Sequence, residues 1–246
     1  MISMASTKKI VLAVATVLLT ATSFGQVTSG RIVFERKVNL KKMFGDNPQL
    51  KRFLQEGQER RIEQFEMYFT DSSSAFFPIE SDEPAQGFMK YLTTHNTIYK
   101  NLNQNEKVAV MDMWGTETHV KDSITEYTWK ITDSKRKIGG YMCRKAFWEM
   151  NDSTRIYAWF SVDVVPSTGP EGFGGLPGTI LGLATENGSI IYFAKEVEAM
   201  EPPKEKMTPD LKGKDVFTQE ALKKRLLEKM GQWVKADDLD AMFSWL

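Results

Sequence analysis

Between residues 97 and 197 the strand-like segments follow one another with no helical pattern between them. Residues 97–102, 107–114, 126–132, 141–150, 154–162, 178–184 and 189–197 are each rich in β-branched and aromatic side chains. What separates several of them is a short polar turn: Asn103-Gln104-Asn105, the loop 133–137, Asn151-Asp152-Ser153 and Glu186-Asn187-Gly188. Parallel neighbours need a crossover of a dozen or more residues, usually a helix, so these spacings select antiparallel pairing and exclude βαβ units. Asn187-Gly188 is the strongest of the hairpin signals, since both residues tolerate the positive φ of a tight two-residue turn.

The flanking regions fit the same plan. Residues 31–39 read as a first strand, and 62–70 and 75–79 as a hairpin with a polar tip at 71–74. A short helix is expected between them: Asn47 suits the N-cap, Pro48 the first helical position and Gly57 the C-terminal cap, with Leu50, Phe53 and Leu54 on one face. Residues 81–87 are acidic, carry Pro84, and read as a surface loop. After Pro202-Pro203 the period becomes helical. Leu222, Leu226 and Met230 lie one turn apart before Gly231, and Leu239, Met242, Phe243 and Leu246 follow at i, i+3, i+4 and i+7. The simplest cover for that apolar stripe is the chain's own sheet; a partner's groove is the alternative. The fold class expected is therefore α+β and mostly antiparallel β, a curved meander sheet or half-barrel with a short N-terminal helix and C-terminal helices. Its organisation is read as a leader at 1–25, a β domain at 26–200 and a helical extension at 201–246.

One stretch inside the β domain has different chemistry. Residues 167–183 hold Gly169, Gly172, Gly174, Gly175, Gly178 and Gly182 with Pro170 and Pro177. Flexible linkers dilute glycine with serine and polar residues. Here it is interleaved with Phe173, Leu176, Ile180, Leu181 and Leu183, which describes a shaped loop held against a core. Gly169, Pro170, Phe173, Gly174, Gly175, Leu176, Pro177 and Gly178, together with Trp159 on the preceding strand, are the candidate ligand- or partner-binding residues.

Charge and the N-terminus bound the address. Lys8 and Lys9 precede an apolar run over 10–21, and Ser23-Phe24-Gly25 offers small residues for cleavage, so a leader peptide ending at Gly25 is expected, with Gln26 as the new terminus. The run is shorter than the ~20 residues of a spanning helix, and the only cysteine, Cys143, is too far on for lipid attachment. The formal charge is zero, and losing Lys8 and Lys9 makes it −2. That balance argues against a nucleic-acid binder, which would need a basic face. One cysteine cannot form an internal disulfide, so packing must supply the stability.

Reactive constellations are sparse. His95 and His119 have no further ligand at helical or hairpin spacing, so no metal site is expected and both are read as solvated. Cys143 alternates with Tyr141 and Lys145 on a strand; a nucleophilic thiol needs a nearby cation or helix N-terminus and a base, and a buried inert thiol is the expectation. There is no G-x-S-x-G, no H-E-x-x-H and no glycine loop ending in lysine. The pairs Asp82-Glu83 and Asp237-Asp238 fall in a loop and a helix start. Among the tryptophans, Trp114, Trp129, Trp148 and Trp159 are expected within strands as packing residues. No cofactor is implied.

Two blocks carry a likeness. Lys137-Ile138-Gly139-Gly140-Tyr141-Met142-Cys143-Arg144-Lys145-Ala146 is one. The other runs from Ala158-Trp159-Phe160 through Val164-Val165-Pro166 and Gly169-Pro170 to Gly174-Gly175-Leu176-Pro177-Gly178-Thr179-Ile180-Leu181-Gly182-Leu183. Together they resemble the GLPGLI family of exported proteins from Bacteroidetes-type bacteria, with Thr179 where that family usually carries leucine. The resemblance implies a periplasmic or secreted address and no known reaction. The function expected is a non-enzymatic periplasmic or outer-membrane-associated binding protein for an apolar or peptide ligand. An accessory module of an outer-membrane transport or assembly complex is the alternative, and an enzyme using Cys143 the least favoured.

Overall fold

The computed structural model describes residues 25–45, 59–81, 93–113, 115–151, 154–232 and 235–246. Its strands are β1 (Gly30–Asn39), β2 (Arg60–Phe69), β3 (Ser73–Pro78), β4 (Thr97–Asn101), β5 (Glu106–Met113), β6 (Thr116–Ser123), β7 (Lys130–Ile138), β8 (Tyr141–Asn151), β9 (Thr154–Ser161), β10 (Thr179–Thr185), β11 (Ile190–Ala199) and β12 (Val216–Phe217). Its helices are α1 (Leu40–Phe44), α2 (Gln219–Met230) and α3 (Ala236–Phe243). All twelve strands belong to one open, curved sheet in the order β12-β6-β5-β4-β3-β2-β1-β11-β10-β9-β8-β7.

Two meanders make this sheet. The first runs β1 to β6 and the second β7 to β11, and β11 returns to pair antiparallel with β1, so the first strand of the chain becomes a central one. Among the named strands only β12 on β6 is parallel. The expected α+β, mostly antiparallel architecture is the one the chain adopts.

The core follows from period-two alternation. Ile32 and Phe34 of β1, Phe65, Met67 and Phe69 of β2, Phe76 of β3, and Ile156, Ala158, Phe160, Ile180 and Leu183 of β9 and β10 form one buried cluster. Ile98, Ala109, Met111 and Val120 of β4 to β6 form another with Leu222 and Leu226 of α2, Leu239 and Phe243 of α3, and Leu246. The helical extension thus covers the chain's own sheet. Each Val, Leu, Ile, Phe or Met side chain among them, removed from water, contributes about 1.5–3 kcal/mol. Thr218 caps α2 by accepting from the Ala221 amide, and Asp122 of β6 accepts from Gln219 N, tying the helix start to the sheet edge.

Three local expectations are corrected. Residues 116–123 are a strand that the sequence did not announce, because Thr-Glu-Thr-His-Val-Lys-Asp-Ser has one apolar residue and gains its place through pairing with β5. Residues 133–137, read as a loop, are the second half of β7. This strand lies at the sheet margin with most side chains in water, where no hydrophobic alternation is required. Conversely 126–129 is irregular, and Trp129 sits in that loop and not in a strand. The helix expected over 47–57, the leader (1–24), the acidic loop with Asp82-Glu83, Asp152-Ser153, Trp114 and Trp233 lie outside the described residues. A five-residue helix, α1, does follow β1, capped by the Asn39 side chain accepting from Lys42 N at 3.0 Å.

Candidate functional site

The glycine-rich segment lies inside the protein. Gly169, Pro170, Phe173, Gly174, Leu176 and Gly178 are buried, and only Gly175 and Pro177 of the candidate residues in it reach solvent. Its backbone polar groups must then be satisfied internally, and side chains from the strands and loops around it do much of this. Lys100 Nζ, from β4, donates to the carbonyls of Gly169 (3.2 Å) and Phe173 (2.7 Å). Trp129 Nε1 donates to Gly174 O at 2.8 Å, and Gly175 N donates to Ser167 Oγ at 3.0 Å. Thr179 Oγ1 donates to Pro166 O at 2.7 Å. Phe173 fills the space between the rings of Tyr127 (centroids 5.0 Å, stacked) and Trp245 (5.2 Å, edge-on). Gly172 N donates to Trp245 O, and a Cβ on Gly172 would lie 2.0 Å from the Leu246 carbonyl carbon. The segment is a wedge joining the two halves of the sheet to the end of the helical extension.

Beneath the wedge is a buried ionic constellation that the sequence reading passed over. Arg36 of β1 is almost wholly enclosed and donates to Glu63 Oε2 through Nε (2.9 Å) and Nη2 (2.7 Å). Its Nη1 reaches Tyr192 OH at 3.1 Å and Glu171 Oε1 at 3.5 Å, and its guanidinium lies 4.5 Å over the Phe65 ring. Glu171 is the only charged residue of the glycine segment, sits at φ +53°, and accepts from the Tyr192 hydroxyl at 2.5 Å. Its other oxygen, Oε2, has no hydrogen-bond partner among the described residues. Glu63 Oε1 meets His95 Nε2 and accepts from Thr93 Oγ1, both at 2.9 Å. Residues on β1, β2 and β11 are cross-strand neighbours here, Arg36 opposite both Glu63 and Tyr192, so register alone assembles the set.

Burial and charge set the protonation of these groups in opposite senses. Burial would raise the Glu63 carboxyl, but the His95 hydrogen bond and the Arg36 charge outweigh it and hold the group at about 2, below its ordinary 4.5. Burial is also the largest influence on Glu171, and there it wins over Arg36 and Tyr192, so that carboxyl is raised. Burial and the like charge of Lys107 bring Lys100 down to about 7. Lys107 itself, lowered to about 8 chiefly by burial, donates to Thr125 Oγ1 and to the main-chain oxygen of Leu246. A carboxyl whose folded value is depressed adds stability above its unfolded value and loses it as pH falls toward the folded one. The Glu63→Gln variant should therefore be less stable than the parent by roughly 2–3 kcal/mol above pH 5, with the gap closing between pH 4.5 and 2. Urea melts at pH 7, 4 and 2.5 check this, and a gap that stays constant across them refutes it.

The remaining candidates are dispersed. Trp159 lies away from the wedge. It pairs with Gly182, which pairs with Phe193, whereas the alternate residues Ala158, Leu183 and Tyr192 form the row that faces Glu171. On its own face Trp159 adjoins Phe193 (6.2 Å), Lys145 Nζ (5.8 Å) and the Arg136 guanidinium (5.4 Å). Lys145 also stands 4.0 Å over Tyr157, and Tyr157 adjoins Phe147. Cys143 is buried, with its thiol pushed up to about 11 mainly by burial, as fits an inert side chain. The solvated reading fails for His119, which is buried beside Glu117, and holds for His95, which is exposed while stacked on Phe65 and held by Glu63.

The molecule is thus a single open, mostly antiparallel sheet, wedged internally by a glycine-rich loop and backed by C-terminal helices. No family model and no curated protein matches the chain. Among solved structures it is similar to PNGF-II: in a C2 crystal form the TM-score is 0.53 at 16% identity, covering 84% of this chain and 34% of that one. In a P21 form the TM-score is 0.55 at 15% identity with the same coverage. The chain spans about a third of the length of PNGF-II, and at this identity the likeness is one of fold. An uncharacterized conserved protein from Thermus thermophilus aligns over 83% of this chain and 99% of its own, with 8% identity and a TM-score of 0.42.

Proposed function

We propose that this chain is an exported, non-enzymatic binding protein of the GLPGLI type, acting at the periplasm or outer membrane on an apolar or peptide ligand. The wedge is its internal keystone, and the ligand is met on the sheet face that carries Trp159. One observation carries this reading: Phe147, Tyr157, Trp159 and Phe193 form a partly exposed aromatic row whose gaps hold Lys145 and Arg136. Half-wet rings beside cations bind through apolar area and cation–π attraction at little cost in side-chain entropy. The buried residues of the wedge, by contrast, have their backbone groups engaged by Lys100, Trp129 and Trp245.

The test is in two parts. Protein recovered from the periplasmic fraction should begin at Gln26, and cytoplasmic protein retaining Met1 overturns the address. Extraction of the purified protein followed by mass spectrometry should release bound lipid or peptide, and Trp159→Ala should reduce that load by about tenfold, as removal of a central aromatic anchor does. A load unchanged in Trp159→Ala overturns the placement of the site.

A further inference from the structure

The two margins of the sheet are treated differently. At one margin β6 is covered: β12 pairs with it at His119 and Val120, Lys214 reaches Glu117, and Asp122 holds the start of α2. At the other, β7 pairs only with β8 among the described residues. Ile138 at its end is buried in the core cluster, so residues 130–137 form the bare margin, and most of their side chains are exposed.

That margin is strongly basic. Lys130, Lys135, Arg136 and Lys137 stand against one carboxylate, Asp133. Lys130 is paired with Glu149, and Arg136 lies over the rings of Trp159 and Phe193. Among the described residues no carboxylate pairs with Lys135 or Lys137, and neighbouring Arg144 and Lys145 add two more cations on β8. Lysines on a sheet margin deter pairing with another copy, because the same charges would face each other. A segment of opposite charge meets no such barrier. An unpaired strand offers backbone donors and acceptors to any extended chain that fits.

We propose that the bare edge of β7 is a docking site for an extended acidic segment of another protein, which adds to the sheet as one more strand. Backbone pairing supplies the register and Lys135 and Lys137 select the charge. This deepens the peptide alternative of the reading above and rests on it, yet it names a separate surface. The regular ladder of Lys135 to Ile138 with Arg144 to Tyr141 presents a straight template there, and the irregularity between Ile131 and Lys135 ends it.

The experiment uses the full mature chain and a short fluorescein-labelled peptide alternating Glu and Val, read by fluorescence anisotropy. Binding is expected, tightening as salt is lowered. It should weaken about tenfold or more in the Lys135→Glu/Lys137→Glu variant, and equally when alternate peptide amides are N-methylated. Hydrogen exchange at residues 135–137 should slow in the complex. Absent binding, equal binding of the N-methylated peptide, or an unchanged affinity in the charge-reversed variant each overturns the proposal. Trp159→Ala separates the two ideas: loss of bound material in that variant with no peptide binding at β7 leaves the functional reading standing and this one fallen.

Discussion

Gly178→Ala should lower the melting temperature by roughly 6–12 °C, whereas Gly175→Ala, three residues away in the same loop, should lower it by about 2–4 °C. Both glycines have positive φ, +131° and +81°, so each substitution carries conformational strain. They differ in what a methyl group would meet. At Gly178 a Cβ would lie 2.1 Å from the Ser161 carbonyl oxygen and 2.7 Å from its carbon, both backbone atoms of β9. At Gly175 the nearest atom is Trp129 Nε1, at 3.8 Å. Relieving the first contact means parting β9 from β10 where Ser161 faces Thr179, next to the wedge. Strain of about 1–3 kcal/mol plus that displacement gives a loss of about 3 kcal/mol or more at Gly178, against about 1 kcal/mol at Gly175. Thermal unfolding followed by circular dichroism measures both, and equal shifts would mean that left-handed strain alone governs the segment.

The same pair shows what could be read from sequence and what could not. The wealth of glycine and proline among apolar residues announced a shaped, packed loop, and that is its form. Which glycine is indispensable depends on where β9 passes, a tertiary fact with no local signature. Strand positions with one wet face or a tight turn were legible: β1, β8 and the Asn187-Gly188 hairpin announced themselves. β6 and β7 were not, because a marginal strand with both faces partly wet needs no alternation.

The buried ionic set had a trace in the sequence. Arg36 continues the inward row Ile32, Phe34, Arg36, Val38, Lys100 follows Ile98 on the inward side of β4, and Glu171 is the lone charge of the glycine segment. A charged residue on an inward row must find a partner or lose its charge. The pairing of Arg36 with Glu63, however, arises only because β1 sits between β2 and β11. No turn or motif announces that β11 returns to the first strand.

Arg36→Met should be the most damaging substitution in the constellation, lowering stability at pH 7 by about 3–5 kcal/mol, the cost typical of stranding a buried charge. The methionine replaces the stem that covers Phe65 but leaves Glu171 enclosed, with one phenolic donor and an Oε2 that already lacks a partner. It also strips Glu63 of its two-pronged partner. Both consequences carry the same pH signature. Glu171 is raised in the fold, so its contribution is most favourable below the ordinary 4.5 and worsens as pH rises; without Arg36 that penalty at neutral pH grows. Glu63 is depressed, so the stability it gives the parent is present above 4.5 and fades toward 2, which leaves the variant less to lack in acid. The deficit of Arg36→Met should therefore be largest near pH 7 and shrink steadily below pH 4.5. Chemical denaturation of parent and variant across that range decides the matter. A deficit that does not change with pH would mean Arg36 supports the sheet through its packed stem, and that the charges beneath the wedge contribute nothing to holding it.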